Sequence, residues 1–298
     1  MRGRAVAELS GDRSAVYQVD LSARSENDAR IIAKNYVPNH SLVLDVGSAC
    51  GDFGLLLQRE KNCHVHGMEF SQASIEIAEK TLAYSRIHQV DLNSFDEDRF
   101  EQYTGYFDCI ALLDVLEHVV DSSRALRGLK RFLKPDGFFV ISLPNVAFGD
   151  IKLQLLADNF IYTETGILDE THVRFFTHRS IAEYFAEQGI EILDCSAKVE
   201  DIEWKSSGAP NRIKRYISSD PHSFVYQYVF TARPSILDQS ALKGVNASRM
   251  RISWVEINPH LRVIRLRRLI DNIFPVGSTW RRAAIKIRNA LHRSQAKD

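Results

Sequence analysis

The sequence has little of what would mark a secreted, membrane-spanning or nucleic-acid-binding protein. Only four of its 298 residues are cysteine, at positions 50, 63, 109 and 195, and no two form a Cys-x-x-Cys pair. Three fall in or beside predicted strands, a usage that suits reduced thiols in a cytoplasmic protein, so no disulfide is expected. No apolar run approaches the roughly 18 residues of a spanning helix. Met1 to Val16 carries Arg2 and Arg4 without a continuous apolar segment, so neither a secretory leader nor a membrane span is expected. An excess of one charge sign is missing too: 38 Lys and Arg balance 38 Asp and Glu, which removes a global field as a reason to expect nucleic acid. The Gly-x-Gly-x-x-Gly spacing of dinucleotide-binding enzymes is not reproduced at the one loop that would carry it. Metal-ligand strings are scarce. In Cys63-His64-Val65-His66 a strand would put the two histidines on one face and the cysteine on the other, with no further ligands in sequence, so no metal is expected there.

What is present begins with Leu42-Val43-Leu44-Asp45-Val46-Gly47-Ser48-Ala49-Cys50-Gly51-Asp52-Phe53-Gly54. The apolar run reads as a strand buried on both faces of a parallel sheet, and Asp45 interrupts it near its carboxyl end. Gly47 and Gly51 bracket a tight turn in which glycine permits positive φ and close approach of a ligand. A helix starting near Asp52 would aim its free N–H groups at that ligand. A second short strand, His64 to Phe70, ends in the acid Glu69, roughly 20 residues after the first glycine, where a carboxylate can accept from both hydroxyls of a ribose. A helix over Gln72 to Leu82 follows, then Val90-Asp91-Leu92, then the run Phe107 to His118.

This order resembles the class I S-adenosylmethionine-dependent methyltransferases. Asp45 to Gly51 matches their first motif, Glu69 (with Phe70 beside it) their ribose acid, and Asp91-Leu92 their adenine contact. Asp114-Val115-Leu116-Glu117-His118 matches the signature of the branch that includes quinol methyltransferases. The resemblance implies S-adenosyl-L-methionine as cofactor, held by Asp45, Gly47, Gly51, Glu69, Phe70, Asp91, Leu92 and Asp114. It also implies a Rossmann-like α/β fold, a seven-stranded, mostly parallel sheet with helices on both faces. Ala49 stands where the family often has a middle glycine, a departure that so small a residue tolerates.

In chain order, a helix is expected with Ser25 as N-cap and Asp28 in its box position, its apolar face formed by Ala29, Ile32, Ala33 and Tyr36 until Pro38 stops it. In the family this helix covers the cofactor, and Tyr17 is either a contact at the methionine end or a packing residue. Strands are expected near 42–46, 64–69, 86–90, 107–113 and 137–143, separated by helices as in right-handed βαβ crossovers. Lys134-Pro135-Asp136-Gly137 reads as a turn. A helix over Thr177 to Gln188 closed by Gly189, a strand from Ile190 to Leu193, a surface loop over 200–222 and a last strand over Phe224 to Thr231 complete the domain. In the family that last strand is antiparallel and inserted between its neighbours.

The insertion at 146–177 should hold the acceptor, because such sheets place ligands beyond the carboxyl ends of their strands. Its string Gly166 to Thr177, containing Leu-Asp-x-Thr-His-x-Arg-Phe-Phe-Thr, is similar to a sub-group of methyltransferases encoded with bacterial surface-polysaccharide enzymes. Methyl transfer from a sulfonium is an in-line displacement from an activated donor, so the protein mainly aligns the reactants and excludes water. An alcohol acceptor must also lose its proton. His172 is the candidate base, and a structural role for it is the alternative. His118, Asn145, Tyr162 and Arg174 are the candidate acceptor contacts. O-methylation of a sugar or glycan intermediate is the reading taken, with a quinol or other small-molecule acceptor second. A non-catalytic cofactor sensor and, further off, a nicotinamide oxidoreductase are the readings from other classes.

The expected division is a methyltransferase domain over 1–234 and a basic extension over 235–298. Beyond His260, ten Arg and Lys are opposed only by Asp271 and Asp298. Two amphipathic helices are expected, one with Val263, Leu266, Ile270, Ile273 and Phe274 on a face, the other with Trp280, Ala284, Ile287 and Leu291, hinged at Pro275-Val276-Gly277. They either pack on the domain or on a second copy of it, or lie through 262–293 on an anionic membrane, where a lipid-linked acceptor would be met. Nucleic acid is the weakest partner reading. The expected location is cytoplasmic, with the inner face of the membrane as a peripheral site.

Overall fold

A seven-stranded sheet organises the computed structural model, which describes residues 26–204 and 208–273. Tyr17 and Ser25 lie outside those residues. The first helix, α1 (Ala29–Tyr36), is capped by Asp28, whose carboxylate accepts from Arg30 N at 2.9 Å. The cap of this helix is therefore Asp28 itself.

The elements then run β1 (Leu42–Val46), α2 (Asp52–Lys61), β2 (His64–Glu69), α3 (Gln72–Thr81), β3 (Arg86–Gln89), β4 (Phe107–Leu113), α4 (Ser122–Lys130) and β5 (Leu133–Pro144). They continue through α5 (Gly149–Leu156), α6 (His178–Glu187), β6 (Ile190–Val199), α7 (Asn211–Ser218), β7 (Val225–Pro234), α8 (Gln239–Arg249) and α9 (Trp254–Ile273). Strand order is β3-β2-β1-β4-β5-β7-β6. β1 pairs parallel with β2 and β4, whereas β7 is antiparallel to β5, with Pro144 opposite Gln227. The expected antiparallel insertion of the last strand is therefore present, and that register carries Gln227 to the carboxyl end of the parallel strands.

Val43, Leu44, Ile110, Ala111, Phe139, Val140 and Ile141 are fully buried. Strands covered on both faces need continuous apolar runs of this kind.

Local differences from expectation have identifiable causes. β5 starts at Leu133, before the expected turn, and Lys134 to Gly137 is an excursion within it, between Leu133 opposite Phe107 and Phe138 opposite Cys109. The register shifts there, and a Cβ on Gly137 would lie 3.0 Å from backbone atoms of Lys134 and Phe107. The segment 200–222 is not a plain loop. Pro210 occupies the N-cap of α7, so the turn formers before it introduce a helix.

The chain divides into two compact units, the first comprising the residues up to Val146, Tyr162–Ser196 and Gln227–Arg251, the second Ala147–Ile161, Ala197–Tyr226 and the residues from Ile252 on. The expected boundary after Pro234 falls inside the first unit because α8 packs there. Asn246, fully buried, accepts from Ile192 N at 2.8 Å and donates to the carbonyls of Ala182 and Ile190.

In the second unit α9 begins at Trp254 and runs through Pro259, well before the expected Val263. Arg265 donates from Nε and Nη2 to the two carboxylate oxygens of Asp201, each at 3.1 Å, and Arg268 approaches the same acid. Part of the basic tail is thus ion-paired. The second expected helix, with Phe274 and the hinge, lies outside the described residues. No helix among the described residues is long and apolar enough to cross a membrane.

Candidate active site

The parallel strands deliver their functional residues to one edge of the sheet, the edge of their carboxyl ends. Asp45 lies near the end of β1, and Gly47 and Gly51 follow it; Glu69 ends β2 and Phe70 follows; Asp91 and Leu92 follow β3, Asp114 to His118 follow β4, and Asn145 follows β5. This is where open α/β sheets bind ligands.

The loop after β1 is shaped by backbone conformations that few residues tolerate. Gly47 has φ +69°, Ala49 +46° and Gly51 +91°. A Cβ on Gly47 would stand 2.6 Å from Val115 Cγ2, so glycine is required both by the dihedral and by the neighbour. Ala49 carries the conformation that the resembling family gives to glycine, at a cost of about 1–2 kcal/mol. Part of that is offset by its N–H, which donates to Glu69 Oε2 at 2.8 Å.

Glu69 Oε1 accepts from Ser71 N, also at 2.8 Å, so one carboxylate holds the loops after β1 and β2. Each of its oxygens keeps lone-pair capacity for a further donor. Gly51 caps α2 without a side chain and leaves that helix's N–H groups for a ligand. Phe70 is 57% exposed beside Glu69 and leaves an apolar face open among the described residues. A left-handed glycine cradle, a strand-end carboxylate and an open aromatic ring fit an adenosine-bearing cofactor.

Asp91 caps the 3₁₀ turn Leu92–Ser94 through Asn93 N at 2.8 Å. Val90 N donates to Glu69 O at 2.8 Å, which sets the Asp91-Leu92 segment beside the end of β2.

Asp45 lies beneath this loop and is 3% exposed. Tyr84 donates to its Oδ2 at 2.8 Å, an approach permitted by Gly54, where a Cβ would meet the tyrosine ring at 2.5 Å. Burial pushes the Asp45 carboxyl up to about 7, against the lowering effects of Tyr84 and Arg30. An acid whose folded pKa is raised loses stability as pH rises from its unfolded pKa, near 3.9, to its folded one. Asp45 should therefore cost the ligand-free protein at most about 1.4 kcal/mol per pH unit across roughly pH 4–7. Denaturant titrations of wild type and Asp45→Asn at several pH values check this. The stability difference should grow in the variant's favour with pH, and a pH-independent difference would reject it.

Asp114 has φ +57°, a left-handed conformation for a non-glycine residue. Its N–H donates to Ser142 Oγ at 3.0 Å, and its Oδ1 accepts from that hydroxyl and from Gln227 Nε2. The side chain expected to face the cofactor is thus engaged within the sheet, and it fixes the turn that follows.

That turn, Leu116–His118, carries a group that sequence reasoning underrated. Glu117 is fully buried and neither carboxylate oxygen has a hydrogen-bond partner. Burial, and then the nearby Asp114 carboxylate, raise its pKa well above the usual range. The turn is tied to the insertion, since Val173 N and Arg174 N both donate to Glu117 O, at 2.8 and 3.1 Å.

The insertion thereby brings His172, 9% exposed, to a ring-centroid distance of 4.6 Å from His118. Thr171 Oγ1 donates to Asp169 Oδ1 at 2.7 Å, so it accepts from His118 Nδ1 at 2.9 Å. His172 Nδ1 sits 3.0 Å from Ile167 O, a carbonyl that can only accept. Both rings therefore turn Nδ1–H toward these acceptors, an arrangement that leaves the lone pair of a neutral ring on Nε2. Burial, then His172, lowers the His118 pKa, which favours the neutral ring. Ligand atoms of Glu117, His118 and His172 all lie within 4.8 Å of one another, a grouping that could hold a metal ion.

Other expected acceptor contacts are placed differently. Arg174 donates from Nη2 to Val120 O at 2.7 Å, a bond that ties the insertion to the loop after His118. Asn145 is fully buried, paired by a parallel bridge to Phe176. Tyr162 is half exposed, with its ring 6.4 Å from that of Phe175. Asp169 and Thr171 were visible only as part of a string. Their role appears once the insertion folds onto the Leu116–His118 turn.

A family model described as a methyltransferase domain matches residues 21–194. A ubiquinone biosynthesis O-methyltransferase of Aromatoleum aromaticum is 27% identical over 158 residues, covering 50% of this chain and 63% of that protein. One from Alkalilimnicola ehrlichii is 33% identical over 112 residues, 35% of this chain and 41% of its own. The chain thus spans less than two thirds of the length of these relatives. Among solved structures, the Burkholderia thailandensis 1,6-didemethyltoxoflavin-N1-methyltransferase with bound 1,6-didemethyltoxoflavin and S-adenosylhomocysteine superposes with a TM-score of 0.45 at 17% identity. The match covers 70% of this chain and 76% of that one.

Proposed function

The chain belongs to the methyltransferase domain family, whose methyl donor is S-adenosylmethionine, and from that premise we propose that it methylates a hydroxyl oxygen of a small molecule. The observation that carries this reading is the buried pair of imidazoles, His118 and His172, each with its lone pair on Nε2, set beside Glu117. An amine acceptor is already nucleophilic when neutral. A hydroxyl gains from a neighbouring base, worth roughly 10²–10⁴ in rate.

When bound, the donor supplies a methyl group on a sulfonium that departs as a neutral thioether. The residues do the rest. Gly47 and Gly51 open the backbone, Glu69 accepts the ribose hydroxyls, Phe70 offers a stacking face to the base, and the histidine pair takes the acceptor's proton.

The relatives' name, ubiquinone biosynthesis O-methyltransferase, favours a phenolic hydroxyl of a quinol-type acceptor as the first class. The string Leu168 to Thr177 favours a sugar hydroxyl on a glycan intermediate as the second. Incubation of the full chain with methyl-labelled S-adenosylmethionine and two acceptor sets, catechols and hexose glycosides, discriminates them. The expected product is a labelled methyl ether on the catechol, with one S-adenosylhomocysteine released per ether. Ether formation only on the glycosides would install the second class. Transfer to neither set, or to nitrogen alone, would sink the O-methylation reading.

A further inference from the structure

Glu117, His118 and His172 offer more than a proton acceptor requires. We propose that these three side chains bind one divalent transition-metal ion of the zinc type. Its catalytic role, though not the binding, rests on the O-methylation reading above.

The donor set is one carboxylate and two imidazoles from two chain segments, with ligand atoms within 4.8 Å of one another. Donors at about 2.0–2.2 Å from a tetrahedral ion stand roughly 3.4 Å apart, so side-chain rotations on the order of an ångström complete the site. Both rings are oriented from behind, as metal-binding histidines usually are. Asp169 acts through Thr171 on His118 Nδ1, and the Ile167 carbonyl acts on His172 Nδ1. Glu117 supplies the independent sign, a fully buried carboxylate with no hydrogen-bond partner on either oxygen. Such a group is costly unless a cation or a donor meets it.

Two nitrogen donors argue against magnesium and calcium, which favour oxygen. Zinc, cobalt(II) and iron(II) suit them. Three protein ligands leave an open position, as in catalytic and not structural sites. With the ion bound, the imidazole lone pairs ligate it and no longer take the acceptor's proton, so an acceptor hydroxyl bound at the open position releases its proton to solvent. Its oxygen then attacks the methyl carbon, the carbon–oxygen bond forms as the carbon–sulfur bond breaks, and the sulfur keeps the electron pair. No redox change is involved, so zinc suffices.

The test uses the full, untagged chain stripped by chelator, titrated with Zn²⁺ by calorimetry and with Co²⁺ by visible absorption. Saturable binding of one ion per chain is expected, with cobalt bands of a four-coordinate site. Glu117→Gln, verified as folded by circular dichroism, should abolish it. Thr171→Val, which keeps all three ligands, should weaken it by about 10–100-fold. The proposal is overturned if wild type binds no ion, or if Glu117→Gln and Thr171→Val both bind with wild-type affinity. An ion-free chain that binds no zinc yet methylates at full rate overturns the metal and leaves the function. A chain that binds zinc but methylates neither acceptor set supports the metal and overturns the function.

Discussion

Replacing His172 with alanine is expected to lower methyl transfer by roughly 10²–10⁴-fold while S-adenosylhomocysteine affinity stays at the wild-type value. The split follows from position. The ring touches His118 and the carbonyl of Ile167 within the insertion, whereas the cofactor loop is held by Glu69 through Ala49 and Ser71. Removing the ring deletes a proton acceptor, or a ligand, without disturbing the loops after β1 and β2. Single-turnover assays paired with calorimetry read both halves. Wild-type turnover in the variant removes His172 from the mechanism. An equal loss of turnover and cofactor affinity would recast it as a residue that only ties the insertion to the domain.

The second large effect belongs to the cofactor loop. Glu69→Ala removes a charged acceptor, and each such hydrogen bond to the ribose is worth about 1.5–3 kcal/mol, or roughly tenfold to a hundredfold in affinity. The loss is deepened because Glu69 also fixes the loop itself. Its two oxygens hold Ala49 N and Ser71 N in the ligand-free protein. Gly47→Val should abolish binding outright, since valine at φ +69° would be strained and its Cβ would collide with Val115 Cγ2 at 2.6 Å. Calorimetric titration of both folded variants with S-adenosylhomocysteine checks this. Unchanged affinity in either one shifts the cofactor away from these loops.

The sheet was legible because each strand is short, apolar and buried on both faces, so Leu42 to Val46 and Phe107 to Leu113 announce themselves without tertiary context. The placement of the candidate cofactor residues was legible for a related reason. Its residues follow their strands directly, and Gly47, Glu69 and Asp91 keep in three dimensions the order that they have in sequence. The bonds of Asp114 were not legible, because its side chain answers to Gln227, a residue 113 positions away that reaches it only through the antiparallel register of β7.

The role of Glu117 and the meeting of the two candidate histidines escaped for the same physical reason. Glu117 and His118 lie more than fifty residues from His172, and no local pattern says that Val173 N and Arg174 N will dock on Glu117 O. One signal was available. An acid set between Leu116 and the apolar Val119-Val120 pair is expensive to bury and so calls for a partner. At the carboxyl end of the described chain, Asp201 pairs with Arg265, a partner that the charge count beyond His260 could not show.

A crystal structure of the full chain with S-adenosylhomocysteine and a catechol is the most direct measurement, because it locates the acceptor oxygen relative to both the sulfur and the histidine pair. The expected result is S-adenosylhomocysteine with its ribose on Glu69 and a phenolic oxygen roughly 2.6–3.2 Å from an imidazole nitrogen of the Glu117, His118 and His172 cluster, or coordinated to an ion held by it. An acceptor oxygen bound on the methyl side of the sulfur but more than about 6 Å from every one of those side chains, beyond the reach of one bridging water, would contradict it.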